Sequence, residues 1–192
     1  MKHLVLLIAF FSCCKSFSQD TTAMKQQIST LFEKAVQLKQ NNVYSKSQRD
    51  ANWVGNHPAT AQQIEAAEQR LNIVLPDDYK IFLQIANGYS TCNDAVEPSF
   101  MQVQDIEYLV NLDKELIIAW AQHDTGTAAT LKQSIVVGGM GEEQLFLLIP
   151  PAPGDTTWRY WKFAAWMPGE EAYANLSDYF DSVIDFIDSI KD

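Results

Sequence analysis

Apolar residues along the chain fall into helical periods first, then strand-like runs, then one more helical period. Met24, Ile28, Leu31, Phe32, Ala35 and Leu38 recur at three- and four-residue intervals, which predicts a helix over 22–40. Residues 41–55 are polar and broken and read as a loop, with Trp53 docked on the body of the fold. A second helix is expected from Thr60, which has capping-box spacing to Gln63. Ile64, Ala67 and Leu71 form its apolar face, and Asn72 ends it. The stretch LPDDYKIFLQIANGY at 75–89 then predicts a short, strongly punctuated helix. Pro76 suits its first position, and Asp77 and Asp78 complement the dipole in its first turn. Tyr79, Phe82, Leu83 and Ala86 share one face, and Asn87-Gly88 supplies a left-handed stop.

Beyond residue 99 the period changes. Phe100, Met101 and Val103 suggest a short strand. Ile106, Leu109, Val110, Ile117 and Trp120 suggest one helix starting near Asp105 and broken by Gly126 and its threonines. Residues 134–137 and 144–149 are apolar runs separated by the turn Gly138-Gly139-Met140-Gly141, the pattern of two adjacent antiparallel strands. A third strand over 158–166 is rich in aromatics, with Trp158, Tyr160 and Lys162 on one face and Arg159, Trp161 and Phe163 on the other. Leu176, Tyr179, Phe180, Val183, Ile184 and Ile187 close the chain as an amphipathic helix starting near Asn175 or Ser177. Helices, then strands, then a helix imply an α+β fold with a mainly antiparallel sheet flanked by helices.

The first residues follow different rules. MKHLVLLIAFFSCCKSFSQD has a basic start, an apolar run too short to span a bilayer, and small residues at its end, the layout of a secretory signal peptide. Ser16 and Ser18 place cleavage before Gln19. Acylation of Cys13 after Ser12, as in a lipoprotein, is the competing reading. The expected organisation is a signal peptide over 1–18, an N-terminal helix and linker over 19–55, and a domain over 56–192. Export would place the protein in the periplasm or at the cell surface.

The 192-residue chain carries 14 basic and 24 acidic residues, a net charge of −10. Loss of residues 1–18 removes Lys2 and Lys15 and no acid, leaving 12 bases against 24 acids and a charge of −12. Such a balance argues against nucleic acid as a partner, because phosphate binding needs a basic surface. It suits a basic protein partner. Cys92 would be the single cysteine left after cleavage, so no intrachain disulfide can form. His57 and His123 have no metal-like spacing to each other or to Cys92, and no metal or cofactor is expected. There is no Gly-x-Ser-x-Gly elbow and no phosphate loop. The acid pairs Glu142-Glu143 and Glu170-Glu171 suggest solvated turns, and no catalytic constellation is visible.

Thr60, Ile64, Glu68 and Leu71, followed by Leu75, Pro76, Asp78, Tyr79, Phe82, Leu83, Asn87 and Gly88, resemble the signature of the SUKH superfamily. That superfamily includes yeast regulators of cell-wall synthesis and many bacterial immunity proteins. The later QLFLLI run, the WRYWKFAAW segment and the helix from Asn175 follow in the same order, so the resemblance spans about residues 56–190. It implies an α+β fold and a non-enzymatic, protein-binding role, in bacteria most often neutralisation of a toxin. Many members are cytoplasmic and act against nucleases. An exported chain departs from that pattern, so its partner would act in the envelope or pass through it.

The expected partner is therefore a protein, such as a basic toxin domain. The candidate contact residues, chosen for their turn and sheet-edge positions, are Glu142, Glu143, Asp155, Trp158, Trp161, Glu170 and Glu171. The alternative is an envelope glycan or cell-wall-fragment binder that stacks sugars on Trp158, Trp161 and Trp166. A hydrolase would require converging carboxylates in a cleft.

Overall fold

The computed structural model describes residues 3–38, 43–91, 97–164 and 170–190, with side chains from Asp20 onward. Cys13, Cys92 and Trp166, and with them the acylation and third stacking expectations, lie outside the described side chains.

The architecture is α+β, as expected. Five antiparallel strands lie in sequence order: β1 (Glu107–Tyr108), β2 (Ile135–Gly138), β3 (Gln144–Ile149), β4 (Arg159–Ala164) and β5 (Glu170–Tyr173). Helices cover both faces. On one face lie α1 (His3–Gln37), α3 (Ala61–Leu71), α4 (Asp77–Ile85) and α8 (Leu176–Ser189). On the other lie α5 (Leu109–Leu112), α6 (Lys114–Ala121) and α7 (Thr125–Gln133). The short α2 (Lys46–Ala51) follows α1.

Strand alternation divides the core in two. Phe146, Leu148 and Tyr160 point into the larger cluster, where Phe32, Phe82, Phe100, Tyr179 and Phe180 meet. Val136, Leu147, Ile149, Trp161 and Phe163 point into the smaller cluster with Leu109 and Leu131. The stripe of α1 belongs to the larger core: Met24, Ile28, Leu31, Phe32 and Ala35 are all buried. Each large apolar side chain so buried contributes about 1.5–3 kcal/mol.

Several local expectations need correction. The 41–55 segment holds a helical turn, α2, closed by a Ser45/Gln48 capping box. Pro76 is the cap of α4 rather than its first helical residue, and the helix already ends at Ala86 in extended backbone. Gly88 is left-handed (φ 79°) but serves the bridge between Tyr89 and Phe100 rather than closing the helix. A Cβ there would sit 2.5 Å from the Phe100 carbonyl oxygen. The expected strand at 100–103 is reduced to bridges from Phe100 to Tyr89 and Gly138.

The single helix expected after Asp105 is instead a two-residue strand and two helices parted at Asp113, whose side chain accepts the Leu116 N–H. Gly126 breaks nothing, because it sits in the first turn of α7 under the Asp124 cap. β5 was not foreseen. Its residues Glu170, Glu171 and Ala172 are exposed, so its face carries no apolar alternation to read.

Candidate functional site

The residues that carry the sequence signature are engaged in holding the fold. Glu68 accepts the Leu75 N–H at 2.9 Å, fixing the link between α3 and α4. One Asp78 oxygen accepts the Tyr160 hydroxyl at 2.6 Å and the other accepts the Leu176 N–H at 2.9 Å, so one carboxylate ties α4 to β4 and to the start of α8. The Asn87 side chain accepts the buried Val103 N–H at 2.8 Å. Tyr79, Phe82 and Leu83 are fully buried. None of these groups is free to hold a ligand.

A second polar cluster was missed by sequence reasoning. Lys162 is buried on β4 between Glu97 at 3.0 Å and Glu171 at 2.9 Å. Tyr179 donates to the other Glu97 oxygen at 3.0 Å, and Tyr173 donates to Glu171 at 2.8 Å. Burial pushes the Glu97 carboxyl up, against the opposing pull of Lys162. Burial alone would lower the Lys162 ammonium, but Glu171 and Glu97 more than offset it and leave it above its usual range. Glu171 is shifted downward: its partial burial is outweighed by its hydrogen bonds from Lys162 and Tyr173. Burial, reinforced by the bond to Glu171, also raises the Tyr173 phenol to about 12. Glu97 and Lys162 are only 3% and 8% exposed, so no substrate reaches the pair. The cluster anchors Glu97 and edge strand β5 to the sheet. The one available signal was a lone cation between Trp161 and Phe163, which a buried strand tolerates only with a partner.

Six of the seven candidate contact residues divide between the two ends of the sheet, and Trp161 lies within β4. Glu142 and Glu143 precede β3, and Glu170 is in register with Phe163, which is in register with Leu145. These acids and Glu171 therefore share one end. Asp155 and Trp158 lie in the loop beyond Ile149, about 17 Å away along β3 at roughly 3.4 Å per residue. Asp155 is exposed and accepts the Thr156 and Thr157 N–H groups, which hold its carboxyl below the usual range. Trp158 is half-buried against the larger core. Trp161 is buried in the smaller one, beneath the Arg159 guanidinium, and offers no ring to a ligand. Glu142 is half-buried and accepts the Ser99 N–H at 2.7 Å, whereas Glu143 and Glu170 are exposed.

Two concavities bear on function. The larger, about 960 Å³, opens between α1, the 53–58 loop and the end of α4. Lys25, Trp53, His57 and the carboxamides of Asn56, Gln63, Gln84 and Gln102 line it, and no carboxylate does. The smaller, about 210 Å³, lies between α5–α6 and the turn before β3. Leu109 and Phe163 form its buried floor, Leu116, Met140 and Leu145 its walls, and Asp113, Glu142 and Glu143 its acidic margin. Among the described residues, no group of three or more His, Cys, Asp or Glu side chains could hold a metal ion. No described helix is long and apolar enough to cross a membrane.

Residues 58–189 match the model of the SMI1 / KNR4 family (SUKH-1). The chain belongs to this family. The match begins beside α3 and ends within the last turn of α8, so it covers the whole sheet and the smaller core, while the α1 part of the larger core lies before it. Among curated proteins, none matches the chain. SUKH proteins are in general non-enzymatic and bind other proteins. That agrees with a signature whose Glu68, Asp78 and Asn87 side chains are spent on the scaffold.

Proposed function

We propose that this SUKH protein is a non-enzymatic, immunity-like module that binds a toxin and neutralises it by occlusion. The observation that carries the reading is the concentration of unpaired acid at one end of the sheet. Among the described residues, Glu142, Glu143, Glu170 and Asp113 have no ion-pair partner and gather at one end of the sheet, whereas other acids without one, such as Glu65, Asp124 and Asp185, are spread over separate helices and their caps. A surface kept in that state favours a basic partner and speeds its encounter. The signal-like start supports export, so the partner would be met in the periplasm or at the cell surface, with acylation at Cys13 as the alternative route to the envelope.

The test is a pull-down from envelope and secreted fractions, using the chain from Gln19, with eluted proteins identified by mass spectrometry. One basic partner with toxic activity, released by salt and inhibited by the added protein, supports the reading. Absence of any such partner overturns it.

The 960 Å³ cleft favours a second reading, that of an envelope-glycan binder. Its carboxamides and its indole suit a hydroxyl-rich ligand better than the buried Trp161 does. Retention of the protein on peptidoglycan, abolished by Trp53→Ala with Gln84→Ala, would support it. Retention unchanged in that variant would exclude the cleft.

A further inference from the structure

We propose that the 210 Å³ pocket between α6 and the turn before β3 receives a single bulky apolar side chain, presented by a basic segment of the partner. This deepens the protein-binding reading above and rests on it.

Size comes first. Small-molecule sites occupy roughly 300–1,000 Å³. A pocket of about 210 Å³ has room for one large side chain and not for a cofactor. Its floor is the smaller core itself, since Leu109 and Phe163 are 0% and 1% exposed. An apolar group entering it would therefore extend an existing packed cluster. The wall on the helix side is thin. α6 has the sequence KELIIAWA and buries no residue completely; Leu116, Ile117 and Trp120 only half cover the cluster, and Ile118 is 60% exposed. Met140, at the mouth, is 45% exposed.

Charge decides the flanks of the occupant. No Lys or Arg lines the pocket, while Asp113, Glu142 and Glu143 do. The register Leu145–Phe163–Glu170 puts Glu170 on the same sheet face, next to the floor residue Phe163. Asp113 and Glu142 are held in place by the Leu116 and Ser99 N–H groups. Pre-positioned carboxylates around an apolar hole fit a Leu, Met or Phe flanked by Lys or Arg. They repel an acidic segment and give an uncharged one no attraction. Three of the seven sequence candidates, Glu142, Glu143 and Glu170, thus gain a common purpose.

The test uses the protein labelled at its methionine methyls. The probes are a synthetic peptide with one leucine between two Lys-Lys-Lys segments and its twin with alanine at the centre. The expected result is a saturable shift of the Met140 methyl, with Met24 unmoved. Binding should weaken about tenfold for the alanine peptide and about tenfold for the Glu143→Lys/Glu170→Lys variant, whose two sites are exposed. Equal shifts with both peptides would overturn the proposal, because charge alone would then explain them. A silent Met140, or Met140 broadening with protein concentration in the absence of peptide, would do so too, the latter assigning the pocket to a second copy of the chain.

The two readings fail separately. A toxin partner captured equally well by the Glu143→Lys/Glu170→Lys variant would sink the pocket and leave the function standing. A positive peptide titration with no partner in the pull-down would do the reverse.

Discussion

The hydroxyl of Tyr160 donates to Asp78 at 2.6 Å across 82 residues of chain, and the same carboxylate takes the first free N–H of α8 from Leu176. Asp78 is thus a junction of three elements. The charge that sequence reasoning assigned to the dipole of α4 spends its oxygens on other elements as well as its own.

Asp78→Ala should therefore cost far more than a first-turn helix charge. It orphans a part-buried hydroxyl and a part-buried N–H, each worth about 1–3 kcal/mol. The expected loss is about 2–4 kcal/mol in urea unfolding, with Asp78→Asn intermediate because its amide can accept only one of the two bonds. A loss below about 1 kcal/mol would show that the junction is not holding the elements together.

Tyr79 presents the opposite case. Its hydroxyl is buried and has no hydrogen-bond partner among the described residues. Tyr79→Phe should keep the ring packing against Phe82 and remove the unsatisfied group, raising stability by about 1 kcal/mol. Thermal unfolding of the two proteins side by side checks this.

Gly88→Ala should be severely destabilising. The residue has φ 79°, and a Cβ would approach two backbone carbonyls at 2.5 and 2.7 Å. The left-handed conformation alone costs a non-glycine residue about 1–2 kcal/mol; displacement of backbone adds to that. The expected outcome is a loss of at least about 3 kcal/mol, or insoluble protein, whereas Gly154→Ala should lose little beyond the conformational cost, since nothing lies within 4 Å of its Cβ.

Lys162→Met should produce a pH-dependent defect. It leaves the Glu97 carboxylate buried and without its cation, which costs about 3–5 kcal/mol. Glu97 is already shifted upward by burial, and loss of Lys162 removes the main opposing pull. A group whose folded pKa is raised contributes stability that is full below its unfolded value near 4.5 and lost as pH rises through the folded value. The defect should thus be largest at pH 7 and above and shrink as pH falls toward 4.5. Glu171, shifted downward, works in the opposite sense, and its share of the wild-type stability disappears only below pH 4.5. Denaturant titrations of both proteins at pH 7.5 and 5 read the difference directly.

Cleavage before Gln19, as proposed, would leave the buried face of α1 intact. A chain starting at Gln19 keeps Met24, Ile28, Leu31, Phe32 and Ala35 in the core and should unfold cooperatively. A chain starting at Tyr44 lacks them and exposes the partners of Phe32, Trp53 and Tyr89, so it should aggregate or bind a hydrophobic dye. Cooperative unfolding of the shorter chain would show that α1 is dispensable.

What the sequence determined by itself was local. The faces of α1, α3, α4 and α8, the Thr60/Gln63 box, the Asn175 cap and the pairing of β2 with β3 all follow from periods and caps read within about 15 residues. The family signature was legible for the same reason, since its residues lie within one helix–link–helix segment. Tertiary structure decided whatever depends on distant partners. Glu97 meets Lys162 across 65 residues and Asp78 meets Leu176 across 98, separations at which no sequence period exists. β5 became a strand through its pairing with β4, without an apolar pattern of its own, and Trp161 is buried because α5–α7 cover the face of β4 opposite Tyr160 and Lys162. The acids at 142, 143 and 170 were visible as charges. Only the register of three strands set Glu170 beside Phe163, the floor of the pocket that Glu142 and Glu143 line, because backbone hydrogen bonding, rather than any property of the acids, sets which residues stand side by side.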